Sequence, residues 1–133
     1  MAVYPQIPAS RIDRKHLLEK ELHKYNYKKF YCPALNVKVR VHPESITETA
    51  WHASKSVLST KLALRLPYVI QNAKVYKEHI TPKSTKQSKV FHFRELVILI
   101  CGIRGLGTAK LTIGIKFKKM AIEYCITDFR YKK

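Results

Sequence analysis

Acidic residues are scarce in this chain: Asp and Glu together number 9, against 26 Lys and Arg, over 133 residues. The resulting formal net charge of +17 goes far beyond what solubility requires. It points to a polyanionic partner, with nucleic acid as the leading candidate. An anionic membrane surface ranks second, but no basic helix in the sequence has the one-sided amphipathicity that surface binding needs. A cysteine framework is also missing. Cys32, Cys101 and Cys125 are widely separated, with no C-x-x-C spacing, which argues against both a disulfide scaffold and a zinc site. We read them as small buried hydrophobes in a reducing compartment, and expect no metal and no other cofactor. The opening MAVYPQIPASRIDRK lacks the apolar core of a signal peptide. The longest apolar run, Leu96 to Ile103, is too short to span a bilayer. No repeat or low-complexity segment appears. What remains is a chain of single-domain length with enough apolar residues for a core.

Hydrophobic spacing orders that chain. Ser10 with Asp13 resembles a helix cap, and Leu17, Leu18, Leu22 and Tyr25 form an apolar stripe on a basic helix running to about Lys28. The following YNYKKFY mixes aromatics with lysines, and is either an aromatic anchor on the core or a base-stacking cluster. Val37 to Val41 alternates as a short strand. Ser45 and Glu48 have capping-box spacing, predicting a helix with Ile46, Ala50 and Ala53 on one face. Ser59 then caps a second helix carrying Leu62, Leu66, Val69 and Ile70, kinked or restarted at Pro67. His52, Lys55, Lys61 and the new helix N-terminus share this corner, which is either an anion site or a solvated loop beside a surface histidine.

Four strands follow, near residues 74–81, 90–103, 107–118 and 121–129. The second is apolar enough to read as a central strand covered on both faces. Between the first two, PKSTKQSK is a basic loop with Lys83, Lys86 and Lys89 as phosphate contacts if the protein binds RNA. Gly102 to Gly107, with Arg104 at its tip, reads as a hairpin turn rather than a dinucleotide loop, since no helical pattern follows. In residues 108–118, Ala109, Leu111, Ile113, Ile115 and Phe117 alternate with Lys110, Thr112, Gly114, Lys116 and Lys118. The fold class expected is therefore α+β: helices packed on one face of a four-stranded antiparallel sheet plus a short extra strand. The opposite face would present Lys110, Thr112 and Lys116, with Tyr124 or its neighbours added according to register. Such a face is either a groove for a sugar–phosphate backbone or an ordinary wet sheet face.

Residue types suited to metal-free RNA cleavage are present. Histidine serves as base or acid near neutral pH, lysine steadies the phosphate, and Thr and Tyr hydroxyls orient it or relay a proton. His52, Lys55, Lys110, Thr112, Tyr124 and Thr127 form the candidate catalytic set. Lys61, Lys83, Lys86, Lys89, Arg104, Lys116 and Lys118 are the candidate nucleic-acid contacts.

The segments HASKSVLSTKLALRLPYVIQNA, GLGTAKLTIGIK and IEYCITDF together resemble the barnase/EndoU/colicin/RelE-like ribonuclease superfamily, in its phage-associated or polymorphic-toxin branch. Leu66, Pro67, Ile70, Asn72 and Ala73 match the segment that leads into the first strand of those families. The resemblance covers about residues 45–129. It implies a nuclease domain at 45–133, with 1–44 as an accessory basic helix and short strand, all within one compact unit. It further implies that His52 takes the place of the family's helix histidine, with Lys110, Thr112, Tyr124 and Thr127 in the places of polar strand residues. The implied activity is that of a metal-independent endoribonuclease, a toxin or phage effector acting on RNA in a reducing cytoplasm after packaging in a virion or delivery into a bacterial cell. An immunity or antitoxin protein, or phage virion proteins, would be its protein partners, with no membrane involved. The rival expectation is a non-catalytic basic nucleic-acid-binding or virion-associated structural protein.

Overall fold

The structure, a computed structural model, describes residues 6–80, 95–118 and 121–132. Its fold is α+β. The first helix, α1 (Arg11–Leu22), begins where expected: Ser10 adopts an extended conformation and its hydroxyl accepts from the Asp13 amide at 3.2 Å. It ends earlier than the apolar stripe suggested. One 3-10 turn, His23–Tyr25, follows, and Tyr27 sits in the left-handed region at φ 62°, so the aromatic cluster leaves the helix. Lys29–Cys32 instead forms a strand, β1, that pairs antiparallel with β2 (Val37–Val41). Asn36, at φ 53°, makes the tight return between them, as a short polar side chain tolerates.

Three short helices come next. The first, α2 (Pro43–Ala53), starts before Ser45: His42 is its cap, and Pro43 fits the first turn because its φ is already helical and its missing N–H is not needed there. Ser45 is thus inside the helix, and its hydroxyl donates to the Ile126 carbonyl on the last strand. In α3 (Val57–Ala63) the cap is Ser56, not Ser59. The two serines form a capping box in which each hydroxyl accepts from the other's amide, at 3.1 and 3.3 Å. Pro67 restarts the chain as a separate helix, α4 (Leu66–Asn72). The remaining strands are β3 (Lys74–Ile80), β4 (Glu95–Ile103), β5 (Gly107–Lys118) and β6 (Ala121–Lys132).

Among the described residues, six strands form one sheet in the order β1-β2-β6-β5-β4-β3. Neighbours are antiparallel except β2 and β6, which run parallel over Val39–Val41 and Tyr124–Ile126. The sheet is therefore mixed, where the sequence suggested an antiparallel one with a short extra strand. A second correction concerns β4. Val97, Leu99, Cys101 and Ile103 are buried while Leu96, Ile98 and Ile100 are only half-buried, so β4 has one covered face, not two. Cross-strand register carries that division across the sheet. Leu99, Leu111 and Phe129 share the helix side, as do Val97, Ile113 and Ile126.

The core between helices and sheet draws on both ends of the chain. Leu18, Leu22, Cys32, Val39 and Val41 cluster with Ile46, Leu62, Ile70, Leu99, Leu111 and Phe129. The described residues before 45 thus contribute core and two strands to the same unit as the described residues after it. Arg14 locks the first helix to the turn after α2. It is only 8 % exposed, and its guanidinium donates to the carbonyls of Ser54 (2.9 Å), Ala9 (2.5 Å) and Pro8 (3.3 Å). A buried cation needs such acceptors to offset lost hydration.

Candidate functional site at the edge of the open sheet face

The parallel pairing of β2 with β6 ends at Ile126. Beyond it the chain of β2 has already turned into α2, and this helix runs alongside the rest of β6. Two contacts fix its path: Ser45 to the Ile126 carbonyl at one end, and His52 to Arg130 at the other. Seven helical residues rise about 10 Å and four strand residues about 13 Å, so helix and strand keep step. Thr127 is the extra residue of a bulge in β6 where this begins, since Thr112 pairs with Asp128 and Ile113 with Ile126. Bulges redirect a strand and concentrate beside functional sites.

His52 consequently lies at the seam between the covered and open sides of the sheet. Its side chain is 19 % exposed, with Nε2 3.3 Å from Arg130 Nη2 and 3.7 Å from Glu48 Oε2. These two neighbours suit opposite protonation states. Arg130 donates to Nε2 of a neutral ring, and a protonated ring turns Nε2–H into a donor with the Glu48 carboxylate beside it. A histidine with a partner for each state is equipped to take up a proton and give it back.

Register adds the cations. On the open face Lys74 pairs with Ile100, Ile100 with Lys110, and Lys110 with Arg130. One cross-strand row therefore reads Lys74, Ile100, Lys110, Arg130, and it ends on His52. Lys110 and Arg130 are like charges directly opposite, an arrangement that costs about 0.2–1 kcal/mol relative to neutral pairs. The same strand pair places Thr112 opposite Asp128 and Lys116 opposite Glu123. Like charges thus stand opposite each other in the row that reaches the histidine.

The candidate residues divide accordingly. His52 and Lys110 are brought toward one place, with Thr112 and Lys116 further along the same open face. Tyr124 is not: it pairs with buried Ile115 and packs against the core on the helix side. The open register left by the sequence is settled against it. Lys55 is exposed in the turn between α2 and α3, and Lys61 is exposed on α3. The hydroxyls at that corner do not form an anion site. Ser59 and Thr60 are buried, and both donate to the Ala53 carbonyl. Arg104 is exposed at the tip of the β4–β5 hairpin, whose Leu106 amide donates to the Ile103 carbonyl at 3.0 Å. Thr127 and Lys118 are placed only by their backbones, in the bulge and at the end of β5. Lys83, Lys86 and Lys89 lie outside the described residues.

Sequence reasoning missed Glu48 and Lys74 as site residues, and Arg130 most of all. Arg130 follows the expected end of the last strand, and nothing local separates it from the basic tail RYKK. Among the described residues no three His, Cys, Asp or Glu side chains gather closely enough to hold a metal ion. No helix among them is long and apolar enough to cross a membrane. Comparisons with protein-family models, with curated proteins and with solved structures found no match to this chain.

Proposed function

We propose that the protein is a metal-independent endoribonuclease whose centre is His52, with Arg130 and Lys110 as the phosphate-binding cations. The observation that carries this reading is the row of Lys74, Lys110 and Arg130 ending on a histidine that has both a donor and a carboxylate at its Nε2. Lys110 and Arg130 stand directly opposite in the register, a like-charge pairing that carries a cost of about 0.2–1 kcal/mol. A phosphate between them turns that repulsion into a doubled attraction. When a bound phosphate draws the Arg130 guanidinium off Nε2, the freed lone pair of neutral His52 takes the proton of the ribose 2′-hydroxyl, and the 2′-oxygen attacks phosphorus. The guanidinium and ammonium stabilise the charge that gathers on the phosphoryl oxygens. The 5′-oxygen leaves toward solvent, since Arg130 is exposed, and is protonated there. Products are a 2′,3′-cyclic phosphate and a 5′-hydroxyl. Glu48 steadies the imidazolium until it loses its proton.

The resemblance of residues 45–129 to the toxin and phage branches of the barnase/EndoU/colicin/RelE-like superfamily supports the same reading, and extends it to an effector held in check by an immunity protein. One placement favours the rival, a basic RNA-binding protein without chemistry: Tyr124 packs against the core on the helix side rather than beside Lys110 and Arg130 on the open face. A digest in EDTA decides between them. Wild type should release cyclic-phosphate ends, and His52→Ala should be slower by about 10²-fold or more with RNA binding retained. Tight binding with no cleavage at any pH from 5 to 8 would overturn the enzyme in favour of the binder.

A further inference from the structure

Trp51, the one tryptophan of the chain, precedes His52 on α2 and is 50 % exposed. The buried face of α2 consists of Ser45, Ile46, Thr49, Ala50 and Ala53, so the core makes no use of the indole. Docking of α1 on α2 does not rest on the indole alone. Arg11 donates from Nη2 to the Trp51 backbone carbonyl at 3.0 Å and from Nε to Ser54 Oγ at 3.4 Å, bonds available with any residue at position 51. What the indole adds is a large flat surface with the Arg11 guanidinium 4.2 Å from its centroid and the Lys15 ammonium at 5.7 Å. Half of that surface remains open to solvent with Arg11 in place. A half-exposed indole flanked by Arg11, which is held in place, and by Lys15, whose ammonium also pairs with Glu19 at 3.6 Å, in a chain of net charge +17, has the composition of a stacking platform for a base whose phosphates need neutralising.

We propose that Trp51 stacks on an unpaired nucleobase of a bound single strand, with Arg11 and Lys15 contacting the adjoining phosphates. The proposal rests on the nucleic-acid reading of the His52 site and deepens it by naming the substrate class. Consecutive residues on a helix point about 100° apart. Trp51 faces α1 and His52 faces β6 from consecutive positions on α2, so a strand with one phosphate in the Arg130–Lys110 row that crosses α2 toward α1 brings a further base to Trp51. A duplex cannot do this, because its bases are already stacked on one another and offer no free face. A single strand rather than a duplex is the ligand selected, and the His52 chemistry, not the platform, is what asks for RNA.

Because Trp51 is the sole tryptophan, its emission reports on the platform without labelling. The probe is a single-stranded 2′-O-methyl oligonucleotide, which lacks the attacking hydroxyl and stays intact. Its binding is followed independently by anisotropy of a terminal dye. Saturable quenching that parallels anisotropy is expected. Heparin, a polyanion without bases, should bind without comparable quenching. Trp51→Ala should weaken the oligonucleotide by about 5- to 150-fold, the range for losing one stacked base, leave heparin affinity within about twofold of wild type, and be partly rescued by Trp51→Phe. Oligonucleotide binding with unchanged emission would overturn the platform alone, as would equal quenching by heparin. No binding of any oligonucleotide at low salt would overturn the nucleic-acid reading, and the platform with it.

Discussion

Reversing the charge of Lys110 should stabilise the protein and weaken its hold on RNA at the same time. Lys110 is half-buried on β5, with Ile100 on one side and Arg130 directly opposite on the other. Lys110→Glu converts a like-charge pair into an opposite one. The lost repulsion and the gained attraction are each worth about 0.2–1 kcal/mol, so the fold should gain about 0.4–2 kcal/mol. For a chain of this size that is a rise in Tm of about 2–8 °C. Lowering a large positive charge anywhere helps somewhat, so Lys38→Glu is the reference: Lys38 is exposed on β2 and faces Tyr31, not a cation. The gain should exceed that of Lys38→Glu at low salt. It should collapse near 1 M salt, where the Debye length of about 3 Å falls below the spacing between strands of about 4.8 Å. The second readout is affinity for single-stranded RNA, whose logarithm should fall with log salt by about 0.7 per phosphate neutralised. Lys110→Glu should flatten that slope by at least about 0.7, and Lys38→Glu should not. Equal thermal shifts for the two variants at low salt, or an unchanged salt slope for Lys110→Glu, would refute the idea that the row exists to hold phosphate.

Gly107→Ala should destabilise by about 1–3 kcal/mol, because Gly107 sits at φ 112° and a Cβ there would lie 2.6 Å from the Tyr131 hydroxyl; an unchanged denaturant midpoint would contradict the β4–β5 hairpin geometry. Arg14→Ala strips a donor from the carbonyls of Ser54, Ala9 and Pro8 and should cost at least about 2 kcal/mol, with faster proteolysis ahead of α1. Loss of stability without earlier cleavage there would show that Arg14 does not tether the N-terminal segment. Burial pushes the Cys32 and Cys101 thiols above their ordinary value of 9.0. The unfolded chain then gives up these protons first, so their stabilising effect is complete below about pH 9 and is lost as pH rises beyond it. Wild type should therefore lose more stability between pH 8 and pH 10 than the Cys32→Ala, Cys101→Ala double variant, and equal losses would refute it.

Local pattern carried much of the architecture. The alternation from Ala109 to Ile115 identified both the strand and its buried side, because a side chain's face in a strand depends only on a period of two. The Ser10 cap and the restart at Pro67 were readable for similar reasons, since hydroxyl reach and a fixed φ act within a few residues. Where several local signals competed, the sequence could not rank them. Ser45 and Ser59 both look like caps, but the hydroxyls of Ser45 and Ser59 are directed to the carbonyls of Ile126 and Ala53, and His42 and Ser56 take the cap positions. Lys29–Cys32 became a strand because Val37–Val41 was there to pair with it.

The candidate site was decided almost wholly by tertiary structure. Composition fixed the charge, and residue type fixed that His52 could move a proton. Neither could tell that the β2–β6 pairing is parallel, that it stops at Ile126, or that α2 then follows β6 until His52 meets Arg130. Register did the rest. It aligned Lys74, Lys110 and Arg130 in one row and turned Tyr124 to the other face. A slip of one residue between strands exchanges their faces with little local signature, and the bulge at Thr127 makes such a shift within β6 itself. Which side chains meet therefore depends on contacts between segments tens of residues apart, whose energies no window of the sequence contains.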